Sequence, residues 1–480
     1  MPRDRIYTPP PPRPSPLKGH RYLHIFCGEG LYKSAVYVRN WQYALKKPEL
    51  DARLVERWEI MVQQHVRGAQ ALAAGIAALP DTRSSAAYTQ AAWRFLNNER
   101  VGLSELAKPL LSAAPGLLDA HCERYGLVMH DWSRLNFGKH TRKADRLKMT
   151  HKSDVGYELQ SSVLVSDVSG KPLVPVVHNL VNDTQVHTTM HARPREHQKH
   201  LDELSERIGW IDARGWDKPL VHIVDREADS VAHWRKWSAQ GSQFLVRAKD
   251  APQVCFEGVP VKPKDLAVRL SYQSAGDVLY HGHTAHQTIA QAKVLITRKA
   301  KPKHSVDGKR VAPVAGKPLA LRLVVSRICD AHGQVLAQWL LLTNVPDEVD
   351  ATTIARWYYY RWQIESMFKL LKSAGQQVED WLQDDALAIA KRLVVASCAC
   401  TLVWQLAAAT SPQALDIQRF LVRLSGRQTK RRRPVTAPAL FAGMWMLFST
   451  LTLLEHYDVD QLRQYAQFIF PNRYGNPKDV

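Results

Sequence analysis

The chain has 480 residues, which is more than one hydrophobic core usually holds, so we expect about two to four domains. Its hydrophobic fraction of 45% and charged fraction of 23% are those of a globular protein. The net charge of +20 and the isoelectric point of about 9.7 argue against an ordinary metabolic enzyme and favour a polyanionic partner, most simply nucleic acid. Because the basic residues are spread along the whole chain, they do not form the single amphipathic segment of a membrane anchor.

The cysteines and the apolar segments bear on where the protein works. Six cysteines in a chain of this length do not make a disulfide scaffold, and we expect reduced thiols in a cytoplasmic protein. The N-terminus carries no apolar segment of the kind that forms a signal peptide. The longest apolar run, 393–406, is too short to span a bilayer and is broken by polar residues, so we expect a buried helix and no membrane partner.

The N-terminal quarter of the chain divides into two segments of different composition. Residues 1–29 are rich in proline and arginine, which is typical of a disordered tail. Residues 30–118 have helical periodicity, many arginines and few strand signals. We interpret the second segment as a helical DNA-binding domain, although any small helical bundle would give a similar pattern.

Strand patterns begin near residue 126 and alternate with helices up to residue 248. In chain order, we predict a strand ending at Asp131, a hairpin turning at 168–171, a helix over 194–208, a strand over 221–224 ending at Asp225, a helix over 228–239 and a strand over 243–248. This order predicts a mixed α/β layer fold with acidic residues at the ends of strands.

Residues 250–350 interrupt this pattern, and we predict that they form an inserted β subdomain. Its alternating segments are 265–272, 288–297, 319–328 and 335–345. A helix is predicted over 352–374, and the pattern stays helical through 376–480. The apolar stretches 391–409 and 438–454 could support self-association.

The predicted helix 352–374 has two contrasting faces. An arc of about 100° presents one carboxylate among cations and aromatic rings, from Tyr358, Arg361, Trp362, Glu365, Lys369 and Lys372. The opposite face is a core-facing stripe of Tyr360, Ile364, Met367, Phe368 and Leu371. A lone carboxylate among cations suggests a site that handles phosphate and metal together. The alternative is a solvated face with ion pairs such as that between Arg361 and Glu365.

Three carboxylates could meet in such a fold. Asp131 and Asp225 each follow a short apolar run, and Glu365 would join them from the helix. Three hard oxygen ligands suit Mg²⁺ or Mn²⁺ and not zinc. Two such ions about 4 Å apart can activate a water or a 3′-hydroxyl and stabilise the leaving oxygen of a phosphodiester. The alternative for an aspartate after a strand is a helix N-cap or a turn.

Three motifs together resemble those of a known family. They are Tyr358-x2-Arg361-x3-Glu365-x6-Lys372 on the helix, Asp225-Arg-Glu-Ala-Asp229 after one strand and His130-Asp131 after another. On these motifs the chain resembles the DDE transposases of the insertion-sequence-four family. The separations between the three acidic residues leave room for that family's β insertion before the catalytic helix.

The resemblance implies a fold and a reaction. The fold is an RNase H-like mixed-sheet catalytic core over 119–375, with the β insertion at about 250–350 and a helical C-terminal domain over 376–480. Asp131, Asp225 and Glu365 would be both the catalytic and the metal-binding residues, holding two Mg²⁺ ions for which Mn²⁺ could substitute. The reaction would be cut-and-paste transposition, in which the transposon end is nicked, forms a hairpin, is opened and is transferred into target DNA.

The resemblance also implies partners and DNA contacts. Tyr358, Arg361, Lys369 and Lys372 would contact phosphates of the transposon end. Trp339 would stack on an unpaired base, and Trp362 matches the aromatic residue beside the signature arginine. The partner would be double-stranded DNA, as terminal repeats and as target, gripped by a homodimer in the cytoplasm of a bacterium, at the nucleoid.

Two other functions compete with this one. A catalytically inactive DNA-binding regulator could occupy transposon ends and block transposition; the intact acidic triad argues against it. A general nuclease of the same fold would not need Tyr358, Arg361 and the two tryptophans, which suit a defined DNA end with a distorted base.

Overall fold

The computed structural model describes residues 45–469 apart from 68–84, 150, 152–153, 251, 281–282, 301–311 and 428–434. The expected tail over 1–29 lies outside the described residues. The helices are α1 (Ala52–Arg67), α2 (Ser85–Leu96), α3 (Leu103–His121), α4 (His200–Asp212), α5 (Val231–Ala239), α6 (Pro263–Arg269), α7 (Ala351–Tyr360), α8 (Trp362–Lys369), α9 (Ala386–Ala408), α10 (Pro412–Leu424), α11 (Ala437–His456) and α12 (Val459–Ile469).

The strands alternate with these helices in the middle of the chain. They are β1 (Gly126–Asn136), β2 (Leu147–Lys148), β3 (Val155–Ser166), β4 (Pro172–Val181), β5 (Val186–Thr188), β6 (Leu220–Val224), β7 (Gln243–Arg247), β8 (Val254–Phe256), β9 (Val259–Val261), β10 (Gln273–Tyr280), β11 (His283–Ile296), β12 (Leu319–Cys329) and β13 (Val335–Thr343). The chain is therefore a mixed α/β protein with flanking helices, as its sequence predicted.

All of these strands join one mixed sheet. Its order is β5-β4-β3-β1-β6-β7-β13-β12-β11-β8-β9, with β2 paired to β3 and β10 paired to β11. β1 runs parallel to β6, which runs parallel to β7, whereas β1, β3 and β4 form an antiparallel meander. β6 reads Leu-Val-His-Ile-Val and is buried throughout, as expected for a central strand covered on both faces. The strands of the predicted insertion continue this sheet, because β13 pairs with β7.

The turn between β3 and β4 anchors the last turn of α7. The Trp357 indole donates to the Asp167 carbonyl at 3.1 Å, and the Tyr360 hydroxyl donates to the Val168 carbonyl at 3.1 Å. Gly170 has a φ of +66° and lies under the Tyr360 ring, where an added Cβ would come within 2.4 Å of ring carbon. The predicted hairpin is thus confirmed, and its turn fixes the position of α7.

Three expectations about elements are wrong. Segment 265–272 was expected as a strand, but α6 occupies Pro263–Arg269; proline at the first helical position and Asp265 in the first turn favour a helix. The single helix expected over 352–374 is interrupted at Arg361 and ends in a π-helical turn over Leu370–Ala374. The helix expected to begin at residue 194 begins at His200.

Two apolar helices behave differently. α9 has 23 residues, long enough to cross a bilayer, so the expectation that its apolar run is too short is wrong. However, 94% of the most apolar 18-residue stretch of α9 is buried within the protein, where α9 packs on β4. The expectation of a buried helix is therefore confirmed. α11 is also long and apolar enough to span a membrane, and only 28% of its window is buried. By length and composition alone, such helices are weak grounds for a membrane role.

Candidate active site

The three predicted carboxylates come from three elements that meet at one end of the central strands. Met129 of β1 and Ile223 of β6 are the last pair in the parallel register of these strands. Asp131 and Asp225 each follow two residues later, so they lie at the same end of the paired segment. Glu365 lies in the first turn of α8, which packs against β1. Asp225 directly follows β6, as predicted, whereas Asp131 lies in the middle of β1 and not at its end. β1 is longer than expected because its polar half, after Asp131, pairs with β3.

One guanidinium joins all three carboxylates. Arg361 Nη1 lies 3.0 Å from Asp131 Oδ2, and Nη2 lies 2.5 Å from Glu365 Oε1 and 3.5 Å from Asp225 Oδ2. Arg361 itself is only 8% exposed. Because Nη2 touches both Asp225 and Glu365, these two carboxylates lie within two contact lengths of each other. The structure therefore brings the predicted acidic triad together, with Arg361 at its centre.

Asp225 has the most partners of the three carboxylates. Its Oδ1 accepts a hydrogen bond from the Tyr358 hydroxyl at 2.9 Å and from the backbone N–H of Arg226 at 2.7 Å. Arg247 Nη1, at the end of β7, lies 3.8 Å from the same oxygen. Asp225 also caps the short helical turn Arg226–Ala228, so the alternative role of a cap is real but does not exclude a place in the site.

The environments of the two aspartates move their pKa values in opposite directions. Burial raises the pKa of Asp131, and the nearby Arg361 only partly opposes this effect. Burial also acts to raise the pKa of Asp225, but Arg361, the Arg226 N–H and the Tyr358 hydroxyl outweigh it and lower the pKa. Burial and the negative charge of Asp225 raise the pKa of the Tyr358 hydroxyl, which therefore stays a hydrogen-bond donor at neutral pH.

The donor set suits a hard divalent cation. Carboxylate oxygens are the ligands that Mg²⁺ and Mn²⁺ prefer, and this site offers three such groups with no sulfur. In the described part of the chain, however, no three His, Cys, Asp or Glu side chains are gathered tightly enough to hold a metal as they stand. The residues fit the ions by chemistry, and Arg361 occupies the oxygens that would bind them.

The other predicted DNA-contacting residues lie on β13, on α8 and on the π-helical turn that follows α8. Trp339 of β13 is half-buried, with its ring centroid 6.4 Å from that of Tyr358. Trp362 is 62% exposed, directly after Arg361, and Lys369 is exposed on the same helix. Lys372 is engaged with the protein itself, donating to the Arg134 carbonyl at 2.6 Å and pairing with Glu379 at 3.1 Å. An exposed surface with an aromatic ring and a cation therefore adjoins the acidic centre.

A buried histidine pair lies on the other face of β1, and sequence reasoning missed it. His130 Nε2 lies 2.9 Å from His222 Nδ1, and His222 Nε2 lies 2.8 Å from Asp212 Oδ1 on α4. His130 Nδ1 also contacts the Ser162 hydroxyl at 2.9 Å. Burial lowers the pKa of His130 well below its usual value, so the His130 ring is uncharged at neutral pH. Histidines in two apolar strands, one of them beside Asp131, were the available signal.

Arg247 was the other residue that sequence reasoning missed. Its signal was also present, because β7 ends in arginine and the following turn is polar. Its relevance depends on β6 and β7 pairing in parallel, which places Arg247 one position beyond the pairing of Val224 with Val246. The spacing between the two strands in sequence does not reveal that register.

The comparisons with known proteins bear on this geometry. The family model for the transposase DDE domain matches residues 129–392, which is more than half of the chain and includes all three carboxylates. The chain belongs to the DDE transposase family. This membership confirms the DDE transposase part of the resemblance and makes the protein a transposase by family.

The other comparisons are more distant. No curated protein matches the chain. Among solved structures, it is similar to a piggyBac transposase in a synaptic complex with hairpin DNA, at 9% sequence identity and a TM-score of 0.29. That match covers 78% of this chain and 63% of the other, so the chain spans less than two thirds of the solved transposase.

Proposed function

We propose that this transposase is a cut-and-paste enzyme of the insertion-sequence-four family, similar to the transposon-five transposase. The observation that carries the proposal is the convergence of Asp131, Asp225 and Glu365, from β1, the end of β6 and α8, on a single guanidinium. Carboxylates that are distant in the sequence come together in this way at sites that bind cations. Membership of the DDE transposase family suggests that these cations would serve DNA cleavage. An RNase H-like core is supported by the meander β4-β3-β1, followed by β6 and β7 in parallel with β1.

The proposed reaction is a series of phosphodiester exchanges. Water attacks one strand at the transposon end and a P–O bond breaks, which leaves a free 3′-hydroxyl. That hydroxyl attacks the opposite strand and closes a hairpin as it displaces the flanking DNA. Water then opens the hairpin and frees the same 3′-hydroxyl again. This hydroxyl attacks a phosphodiester bond of target DNA, which breaks as the transposon end is joined to the target. Each step forms one P–O bond as it breaks another, so no external energy source is required.

The three carboxylates would hold two Mg²⁺ ions, with Mn²⁺ as a substitute. When bound, such ions supply Lewis-acid stabilisation of the attacking and leaving oxygens. The protein's own part is to position its ligands. The buried Tyr358 hydroxyl holds Asp225, and β1 holds Asp131 on the face that α8 covers. Both restraints act before any substrate arrives.

The surroundings of the site would bind the DNA end. Arg361, Tyr358, Lys369 and Lys372 would contact backbone phosphates. Trp362 is exposed and Trp339 is half-buried beside Tyr358, so each could offer a ring face to a base removed from the stack. Both rings adjoin the acidic centre, since Trp362 directly follows Arg361 and Trp339 lies beside the tyrosine that holds Asp225.

The domain assignment and the assembly belong to the same proposal. Residues 30–118 would bind DNA; their described part is helical, in α1, α2 and most of α3. Residues 119–375 would form the catalytic domain and 376–480 a helical domain for dimerisation. The active form would be a homodimer on two transposon ends in the bacterial cytoplasm.

A cleavage assay tests the proposal. The full chain is incubated with linear DNA that carries the terminal repeats flanking its gene, with and without Mg²⁺ or Mn²⁺. We expect metal-dependent cuts at the repeat ends and a hairpin product on denaturing gels. Binding without cleavage in either metal would favour the regulator, and cleavage at random positions would favour the general nuclease.

A further inference from the structure

The contacts of Arg361 oppose the proposed metal binding by the three carboxylates beside it. Its two terminal nitrogens lie 2.5–3.5 Å from one oxygen each of Glu365, Asp131 and Asp225. These are oxygens that a divalent cation would also need. A guanidinium and a divalent cation on the same lone pairs would repel each other strongly in a partly buried site. Metal binding at this site therefore requires Arg361 to move.

The chain is built so that Arg361 can move. α7 ends at Tyr360 and α8 begins at Trp362, so Arg361 lies at the break between two helices. The backbone there uses short-range bonds, from Arg361 N–H to the Tyr358 carbonyl at 3.0 Å and from Ile364 N–H to the Arg361 carbonyl at 3.2 Å. Its side chain is long and unbranched, and the carboxylate side chains that it contacts are 23–33% exposed, so the guanidinium lies close to the surface.

We propose that Arg361 is a cationic latch that closes the acidic site in DNA-free protein and is released by a backbone phosphate of the DNA end. This inference rests on the proposed function and adds its regulation. Guanidinium binds phosphate through two parallel hydrogen bonds, as it binds carboxylate, so a phosphate at this surface can compete for Arg361. Release removes the one cation that all three carboxylates share, and this favours the binding of divalent cations.

The latch makes metal binding and DNA binding mutually dependent. If DNA raises the affinity for metal by some factor, metal must raise the affinity for DNA by the same factor. The protein would therefore carry a weakly loaded metal site until it holds a DNA end. Cleavage of unrelated DNA would be suppressed, because a phosphate must reach Arg361 in the correct place.

Calorimetric titration of the DNA-free full chain with Mn²⁺ tests the latch directly. We expect Arg361→Gln to bind Mn²⁺ at least about tenfold more tightly than wild type, within the usual range of coupling between sites. Arg361→Lys keeps the charge but cannot bridge three carboxylates, so we expect an affinity between the two. Arg419→Gln is the matched control. It removes one exposed arginine that pairs with Asp416 on α10, outside the site, and we expect wild-type Mn²⁺ affinity.

A second arm adds a duplex that carries the terminal repeat. It should tighten Mn²⁺ binding by wild type by a factor similar to the Arg361→Gln effect, and add little for Arg361→Gln. Equal Mn²⁺ affinity of wild type and both Arg361 variants without DNA would overturn the latch. If Glu365→Gln still abolishes that binding, the proposed function stands. Absence of Mn²⁺ binding in every variant, with and without DNA, would overturn both proposals.

Discussion

The three acidic side chains are proposed to hold the metal ions together, so removing any one should stop the chemistry. We expect Asp131→Asn, Asp225→Asn and Glu365→Gln each to reduce end cleavage at least about 100-fold, because even residues that only support metal ligands contribute roughly 10–100-fold. DNA binding should persist, since the amide variants remove negative charge from a basic protein. Single-turnover cleavage and gel-shift titration measure the two effects.

The control for this prediction is Asp416→Asn on α10, an exposed aspartate paired with Arg419 and outside the site. Its cleavage rate should match that of wild type. Full cleavage by Glu365→Gln would remove α8 from the catalytic machinery.

The opposite pKa shifts of the two aspartates predict opposite effects on stability. Asp225 has a lowered pKa, so its carboxylate stabilises the fold above its unfolded pKa of about 3.8, and this contribution disappears as the pH falls through the lowered value. Asp131 has a raised pKa, so its charge opposes folding above the raised value and has no effect below 3.8. At pH 7, Asp225→Asn should lower the free energy of unfolding and Asp131→Asn should raise it.

Denaturant titrations from about pH 7 to about pH 3.5 measure these differences. The deficit of Asp225→Asn should stay constant down to about pH 4 and then shrink. The gain of Asp131→Asn should shrink earlier, as the pH approaches 3.8 from above. Variants that change stability in the same direction at neutral pH would contradict the assigned environments.

At this scale, the sequence predicted that the three carboxylates would come together, but it did not predict which cation they contact. The spacing from Tyr358 to Glu365 and the position of Asp225 after an apolar run are local signals. The contact of Arg361 with three carboxylates is not local, because it depends on the pairing of β1 with β6 and on the packing of α8. Arg361 was predicted to bind phosphate, whereas in the structure its partners are acidic.

At the scale of elements, the junction of β1 and β6 depends on the buried histidine pair. We expect His222→Leu to lower the free energy of unfolding by about 1–3 kcal/mol, since it leaves His130 Nε2 without its hydrogen-bond partner in the core. His222→Gln, which keeps a polar group toward Asp212, should cost less. Chemical denaturation at neutral pH measures both.

The outcome that would contradict this prediction is equal stability of His222→Leu and wild type. Thr343→Val provides a comparison, because the buried Thr343 hydroxyl donates to the Phe244 carbonyl on β7 and accepts from the backbone N–H of Val345. It should cost about 1–3 kcal/mol, because it leaves two buried backbone groups without this partner.

Element types followed the sequence where one pattern dominated. Apolar runs on either side of a turn identified β3 and β4, alternating apolar residues identified β11 and β12, and apolar helical runs identified α5 and α9. The pattern failed over 265–272, where the adjacent Leu266 and Ala267 are both buried in a short helix that begins at Pro263. It also failed to show the break at Arg361, because the residues on both sides continue the helical spacing.

At the scale of the whole molecule, the net charge of +20 should make DNA binding steeply dependent on salt. Each cation that neutralises a phosphate contributes about 0.9 to the slope of log affinity against log salt concentration. We expect Lys369→Gln to reduce the slope by about that amount. Fluorescence anisotropy between roughly 50 and 300 mM salt, the range over which such slopes are linear, measures it.

The control is Lys236→Gln on α5, whose helix packs beside α4 on the face of the sheet opposite to Asp131. Its slope should equal that of wild type. A slope unchanged by Lys369→Gln would exclude Lys369 from the phosphate contacts, without affecting the acidic centre.

The order of strands in the sheet has a consequence for biosynthesis. β7 can pair with its second neighbouring strand only after β13 has been synthesised. Arg361 and Glu365 are synthesised later still. A nascent chain that stops early therefore carries two of the acidic side chains but lacks the third. Products of this gene that end between residues 225 and 365 should therefore be unable to cut DNA.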